Sequence, residues 1–301
     1  MSNRTKGILA IVSSAFGFAL MALFVRLCDS CGGPVSSFQK GFFRNVVALT
    51  VAAVAFGRSQ AAPGGTGRER SPVRPALRLL GGPVLCLLSL RALLGTVGIF
   101  SNFYALSHVT IAEGQTLNKT APFFTILFAW LLLGERVGRR QVTALLLAFG
   151  GILLIAKPGF AGAQAFPLAI GLLGGACAGG AYACVRALRR RGVPTTLVIL
   201  FFSVFSCLAS VPFMLVRFDP MTFRQLLVLL GAGVGAAIGQ FGITLAYGYS
   251  APRDIAVFDY SNVLFTAAFG CLFFAQVPDL LSVLGFVAIL LAVLRQRPAD
   301  G

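Results

Sequence analysis

Long unbroken apolar stretches succeed one another along this chain, separated by short polar gaps. A helix that spans a bilayer needs about 20 predominantly apolar residues. Ten runs come close to that measure: 6–27, 35–57, 84–107, 111–133, 138–156, 166–188, 195–216, 223–248, 253–275 and 279–295. The widest gap contains SQAAPGGTGRERSPVRP at 59–75, where glycine, proline and arginine predict a flexible basic loop. The first run follows Arg4 and Lys6 and continues to Leu27, too long for the apolar core of a signal peptide. The pattern predicts an all-α polytopic membrane protein with ten transmembrane helices.

Composition agrees. Of 301 residues, 57% are apolar and only 11% charged, against about 25% charged in a soluble domain. The formal net charge of +16 raises nucleic acid as a partner. The arginines, however, cluster in short loops between apolar runs, with no stacking aromatics among them, so the surrounding partner is the lipid bilayer. With the N-terminus inside, seventeen basic residues fall on inner segments and four on outer ones. That bias predicts that both termini are cytoplasmic. Five of the seven cysteines, Cys86, Cys177, Cys184, Cys207 and Cys271, sit in apolar runs and read as packing residues. Cys28 and Cys31 form a C-x-x-C with no partners for metal or redox chemistry in view.

The chain also resembles itself. Shifted by 141 residues, FYALSHVTIAEGQTLNK (103–119) falls on TLAYGYSAPRDIAVFDY (244–260), and LLLGE (131–135) falls on LFFAQ (272–276). Shifted by 160, Arg26 meets Arg186, Pro34 meets Pro194 and Phe42 meets Phe202. The agreement predicts two five-helix repeats, 1–160 and 161–301. Five is odd, so the second copy is inverted, an architecture that places a site near the midplane between the repeats.

Three stretches then carry a family resemblance: NKTAPFFTILFAWLLLGERVG with the following GGILLIAKPG, SSFQKGFFRN, and NFYALSHVTIAEG. In these the chain resembles the EamA-type ten-helix carriers of the drug/metabolite transporter superfamily. The resemblance implies a bacterial inner-membrane carrier working by alternating access, commonly an exporter of amino acids or other small metabolites. The second half departs from the family pattern: Val263 stands where a proline repeats and Gln276 where a glutamate does.

Charges within the runs need a reason, since each costs about 2.5–3.5 kcal/mol at bilayer centre on insertion scales. At about 1.5 Å per residue, Arg44, Lys119, Arg91 and Asp259 lie roughly 13, 12, 10 and 9 Å from the nearer surface. Lys40 is shallower and can snorkel outward. Helical spacing sets Gln115, Asn118 or Lys119, and Pro122 on one stripe. It sets Asp259, Asn262 and Thr266 on another, and Arg91, Gly95, Gly98 and Asn102 on a third. Pro122 lacks a backbone donor and predicts a bend at the path. Two bland pairings stand as alternatives, Lys119 with Asp259 or Arg91 with Asp259. Either leaves cations in surplus, which favours an anionic guest. Gly231, Gly235 and Gly239 form a ridge that predicts close helix packing. Glu135 is expected to cap the fifth helix or to pair locally, beside Arg136 and Arg139, with a gating role as the rival reading.

No nucleophile–base pair, metal-ligating set, intrahelical acidic pair or phosphate-binding G-x-x-x-x-G-K-[ST] loop is present in the sequence, which argues against an enzyme, a metal or another cofactor. The expected function is secondary transport of a small polar metabolite, an amino acid or related carboxylate. Arg44 or Lys119 would bind the acid group, with Arg91 beside them. Asn102, Gln115, Asn118 and Asn262 would supply neutral hydrogen bonds, Gln240 would line the path, and Asp259 would take a substrate amine or a coupling proton. The alternatives are a carrier of phosphorylated or nucleotide-linked metabolites on the same fold, and a non-transporting scaffold.

Overall fold

A computed structural model describes residues 2–33, 35–61, 82–108, 117–156, 165–216, 218–275 and 279–295. Gln115, Lys157, Arg217, Gln276, the start of the fourth run and residues 62–75 of the expected basic loop lie outside them. The described residues form helices joined by short turns and connections, with no strand among them.

The helices follow the apolar runs: α1 (Asn3–Ser30), α2 (Ser37–Ala61), α3 (Gly82–His108), α4 (Ala121–Leu133), α5 (Arg139–Ala156), α6 (Ala165–Arg190), α7 (Thr195–Val216), α8 (Phe223–Tyr249), α9 (Pro252–Phe274) and α10 (Leu280–Arg295). Seven are long and apolar enough to cross a membrane, while α4 and α10 are apolar but shorter. Local chemistry sets the ends. Ser2 caps α1 by accepting from the Thr5 N–H at 3.1 Å, and Thr222 and Gln225 form a reciprocal capping box on α8.

Two helices are interrupted. Residues 117–118 are helical and 119–120 form a turn, after which α4 starts at Ala121 with Pro122 in its first turn. The missing N–H of Pro122 makes the restart favourable there. In α9, a turn of α-helix at Pro252–Ile255 tightens into a 3₁₀ segment at Ala256–Tyr260 before α-helix resumes at Ser261. Both helices also end alike, in left-handed residues: Gly134 at φ 65° and Ala275 at φ 51°.

Packing is organised by small residues. α1 runs along α8 and α3 along α6; α5 faces α10 and α2 faces α7. The glycine ridge on α8 packs as its spacing predicts: a Cβ on Gly235 would stand 2.7 Å from the Met21 nitrogen of α1. Gly98 of α3 also lets the backbone of α6 come close, with Ala178 N 3.2 Å from where its Cβ would be. That glycine therefore admits a helix. Polar cross-links complete the core: Ser14 donates to the Gly239 carbonyl at 2.6 Å and Asn45 to Ser206 at 2.8 Å. The outer faces are apolar, and Trp130, Leu131 and Leu132 are each more than half exposed. So much exposed apolar surface suits acyl chains and would be an association hazard in water.

Candidate functional site

The two interruptions meet. Normal helix geometry would have the Lys119 carbonyl accept from the Phe123 N–H. That N–H donates instead to Thr120 at 3.0 Å. The freed Lys119 carbonyl accepts from the Tyr260 hydroxyl at 3.1 Å, at the last residue of the 3₁₀ segment. The Lys119 side chain reaches one residue back, where its Nζ stands 3.9 Å from Asp259 Oδ2. The contact is loose, and both side chains keep partial exposure, 12% and 16%. Of the two bland pairings, the structure forms this one.

Arg44 and Arg91 are held differently, each beside an aromatic ring. Arg91, on α3, is 2% exposed, and its guanidinium stacks on the Phe202 ring of α7 at 3.8 Å. Its Nε has no hydrogen-bond partner among the described residues. Gly95 makes room for it, because a Cβ there would collide with the guanidinium. Arg44, on α2, stands 5.9 Å from the Phe18 ring of α1. Neither arginine has a carboxylate partner among the described residues. Ring faces stabilise a guanidinium by about 0.5–2 kcal/mol, which only partly offsets its desolvation. The two arginines lie within electrostatic reach of each other.

Tyr182 of α6 joins the halves of the cluster. It is within electrostatic reach of Asp259, Arg91 and Arg44, and its ring lies 5.6 Å from that of Tyr247 on α8. Thr125 of α4 donates to the Ala121 carbonyl at 2.8 Å. Sequence reasoning missed Tyr182, Tyr260 and Phe202, because an aromatic in an apolar run looks like bulk. One signal was available for Tyr260: the 141-residue shift lays it on Lys119.

The remaining site residues divide. Asn102 and Asn118 are half-buried, with side chains that make no hydrogen bond to described residues. Asn262 is committed to the Ala15 carbonyl of α1 at 2.9 Å, and Gln240 to Thr244 in its own helix at 3.4 Å. No polar contact among the described residues brings Gln240 to the charged centre. Lys40 is held by Asp29 at 2.7 Å, so it does not simply reach outward. Cys28 is buried, Cys31 exposed, and both are free thiols.

Glu135 corrects an expectation. It takes neither of its sequence neighbours Arg136 and Arg139. Its Oε1 accepts from Arg186 Nε at 3.0 Å and lies 3.5 Å from a nitrogen of Arg190, both on α6. Arg186 also donates to the Tyr247 carbonyl at 3.2 Å, so it links the ends of α4, α6 and α8. The chain turns after Gly134, which carries the carboxylate away from α5 and toward α6.

This arrangement has relatives. The sequence profile of the EamA-like transporter family matches residues 5–157. The pseudopaline exporter CntI of Pseudomonas aeruginosa strain UCBPP-PA14 is 34% identical over 218 residues, 72% of this chain and 75% of that one. A riboflavin transporter of Vibrio cholerae serotype O1 is 31% identical over 210 residues, 68% of each chain. A solved crystal structure shares the fold with a TM-score of 0.67 at 21% identity, over 94% of this chain and 97% of that one. Apolar helices of spanning length and bacterial transporter relatives make this a multi-pass inner-membrane protein. The chain belongs to the EamA-like transporter family of the drug/metabolite transporter superfamily, and it is a transporter rather than an enzyme.

Proposed function

We propose that this transporter is an alternating-access secondary exporter of small anionic or zwitterionic metabolites, such as amino acids or related carboxylates. The observation that carries the reading is the charge balance of the centre. Arg44 and Arg91 lie beside the rings of Phe18 and Phe202 with no carboxylate partner among the described residues, while Asp259 is loosely shared with Lys119. A guest carboxylate neutralises the arginines, and its amine competes with Lys119 for Asp259. Asn102 and Asn118 offer free amides for the rest of the guest. Asp259 alternatively takes a coupling proton when the cargo has no amine. Export as the direction is supported by similarity to the Pseudomonas pseudopaline exporter.

The machine proposed is two inverted units, 1–160 and 161–301, of five membrane-spanning helices each, with both termini cytoplasmic. Support comes from reciprocity. If α1 corresponds to α6 and α3 to α8, then the α1–α8 and α3–α6 packings are one contact made twice. α2 with α7 and α5 with α10 are the contacts expected at the pseudo-two-fold axis. The left-handed caps Gly134 and Ala275 stand 141 residues apart, as do Lys119 and Tyr260. Broken helices crossing at mid-depth are the usual ligand-binding device of inverted-repeat carriers.

The test is counterflow in proteoliposomes, with amino acids and dicarboxylates competed against nucleotide-linked and phosphorylated metabolites. Carboxylate cargo predicts exchange by the first group, lost in Arg91→Leu. Exchange by the second group alone would assign the arginines to phosphate. Exchange by neither, from protein that is folded and inserted, would sink the reading.

A further inference from the structure

A second basic site lies apart from the charged centre, where α4 and α6 end and α9 begins. The stretch after α4, the end of α6 and the start of α9 enclose an open recess of about 400 Å³. Its polar wall is Glu135, Arg136, Arg186, Arg190 and Arg253. Four guanidiniums thus share one space with one carboxylate. Arg253 is also beside Asp254 at 3.8 Å and donates to the Arg136 carbonyl. Counting Asp254, the recess keeps an excess of positive charge.

Glu135 is the weak member of this cluster. A single oxygen, Oε1, serves both Arg186 and Arg190, while Oε2 is buried without a partner among the described residues. A buried carboxylate oxygen with no donor forfeits the hydrogen bonding that would offset its desolvation. Arg190 is held only at 3.5 Å, and half of its side chain is exposed. A free carboxylate or phosphate could present two or three oxygens to the same guanidiniums in fork geometry, which Glu135 does not do here. Arginine clusters in open, partly desolvated recesses recognise such groups.

We propose that this recess is an anion-binding site for a carboxylate or phosphate group, and that the ligand binds in competition with Glu135 for Arg186 and Arg190. The same oxygens are offered by a soluble anion or by the headgroup of an acidic lipid. The site itself stands independently of the cargo chemistry proposed for the charged centre. With both termini cytoplasmic, as proposed above, the recess lies on the cytoplasmic side.

The experiment is calorimetric titration of the full chain in nanodiscs with inorganic phosphate at low ionic strength, where exposed charges are least screened. Discs of phosphatidylcholine alone are compared with discs containing phosphatidylglycerol. In phosphatidylcholine, Glu135→Gln removes the competitor and should bind phosphate about tenfold tighter, while Arg190→Gln should bind it about tenfold more weakly. A purely structural cluster would not move the two in opposite directions. Arg190 is half exposed, so its variant keeps the fold testable if Glu135→Gln loses stability. Loss of phosphate binding in the acidic discs, absent from Arg190→Gln, assigns the same site to the lipid headgroup. Phosphate affinity indifferent to both substitutions overturns the proposal. So does binding abolished by Arg91→Leu but untouched by Arg190→Gln, a result that would leave the proposed function standing.

Discussion

The hydroxyl of Tyr260 donates to the backbone carbonyl of Lys119 at 3.1 Å, across a separation of 141 residues. The same offset lays 103–119 of the sequence on 244–260. Under the proposed repeat, the bond joins two corresponding positions, each at the interruption of its own helix. A carbonyl released from one broken helix is satisfied by a side chain from the other, as a dry environment demands.

Tyr260→Phe should expose the value of that bond. It leaves the Lys119 carbonyl without its donor, at a cost of about 1–3 kcal/mol. The thermal midpoint of purified protein should fall by about 2–6 °C. Tyr249→Phe, at the more exposed end of α8, serves as a control and should not move it. Equal midpoints for the two variants would mean the interruptions do not depend on each other.

Arg91→Leu should separate stability from function. A buried guanidinium with no carboxylate and an orphaned Nε is a net cost to the empty protein, and an apolar replacement is often neutral or stabilising by about 1–4 kcal/mol. The midpoint should hold or rise. Transport should fall about 10–100-fold, the worth of a charge-assisted contact to cargo. A destabilised variant that still transports would mark Arg91 as structural.

Lys119 and Asp259 call for a double-mutant cycle. Lys119→Ala alone strands a partly open acid and should cost about 1–2 kcal/mol, short of the roughly 3–5 kcal/mol of a dry pair. Adding Asp259→Ala should recover much of that stability through their coupling. Transport should stay absent in the double variant if both groups meet cargo. Restored transport would reduce the pair to a structural bridge.

The caps of α4 and α9 make a cleaner pair. Ala275 holds φ 51°, a left-handed conformation that costs an L-residue with a Cβ about 1–2 kcal/mol. Ala275→Gly should raise the thermal midpoint, by about 2–4 °C for 1 kcal/mol. Gly134→Ala should lower it similarly, and purely through the backbone, since nothing lies within 4 Å of the added Cβ. If both left-handed residues are part of one duplicated design, the two shifts should be near mirror images.

Much of the fold was legible in the sequence because the solvent is uniform. Hydrocarbon forces nearly every spanning residue to be apolar and every backbone group to bond within its helix, so run length alone marks most helices. Lys119 beside Pro122 announced an interruption for the same reason. Glu135 was misread because sequence neighbours look like partners on paper. Its true partners, Arg186 and Arg190, are set by how α4 and α6 pack, 51 and 55 residues along the chain. Tyr182 was invisible for a related reason. Its ring is ordinary among apolar neighbours, and only the placement of α2, α3, α6 and α9 brings two guanidiniums and a carboxylate near it.

The sequence by itself determined that this chain lives in a bilayer, where its helices run, and that several charges fall deep within the apolar runs. Those are consequences of one-dimensional facts: transfer cost, run length and the missing N–H of a proline. Tertiary structure alone decided which charges pair. Coulombic and hydrogen-bond energies depend on distances between helices remote in sequence, and those distances are set by glycines such as Gly98 and Gly235 that let particular backbones touch. Thus Asp259 found Lys119, Glu135 found α6, and Arg91 was left with an aromatic ring and no carboxylate.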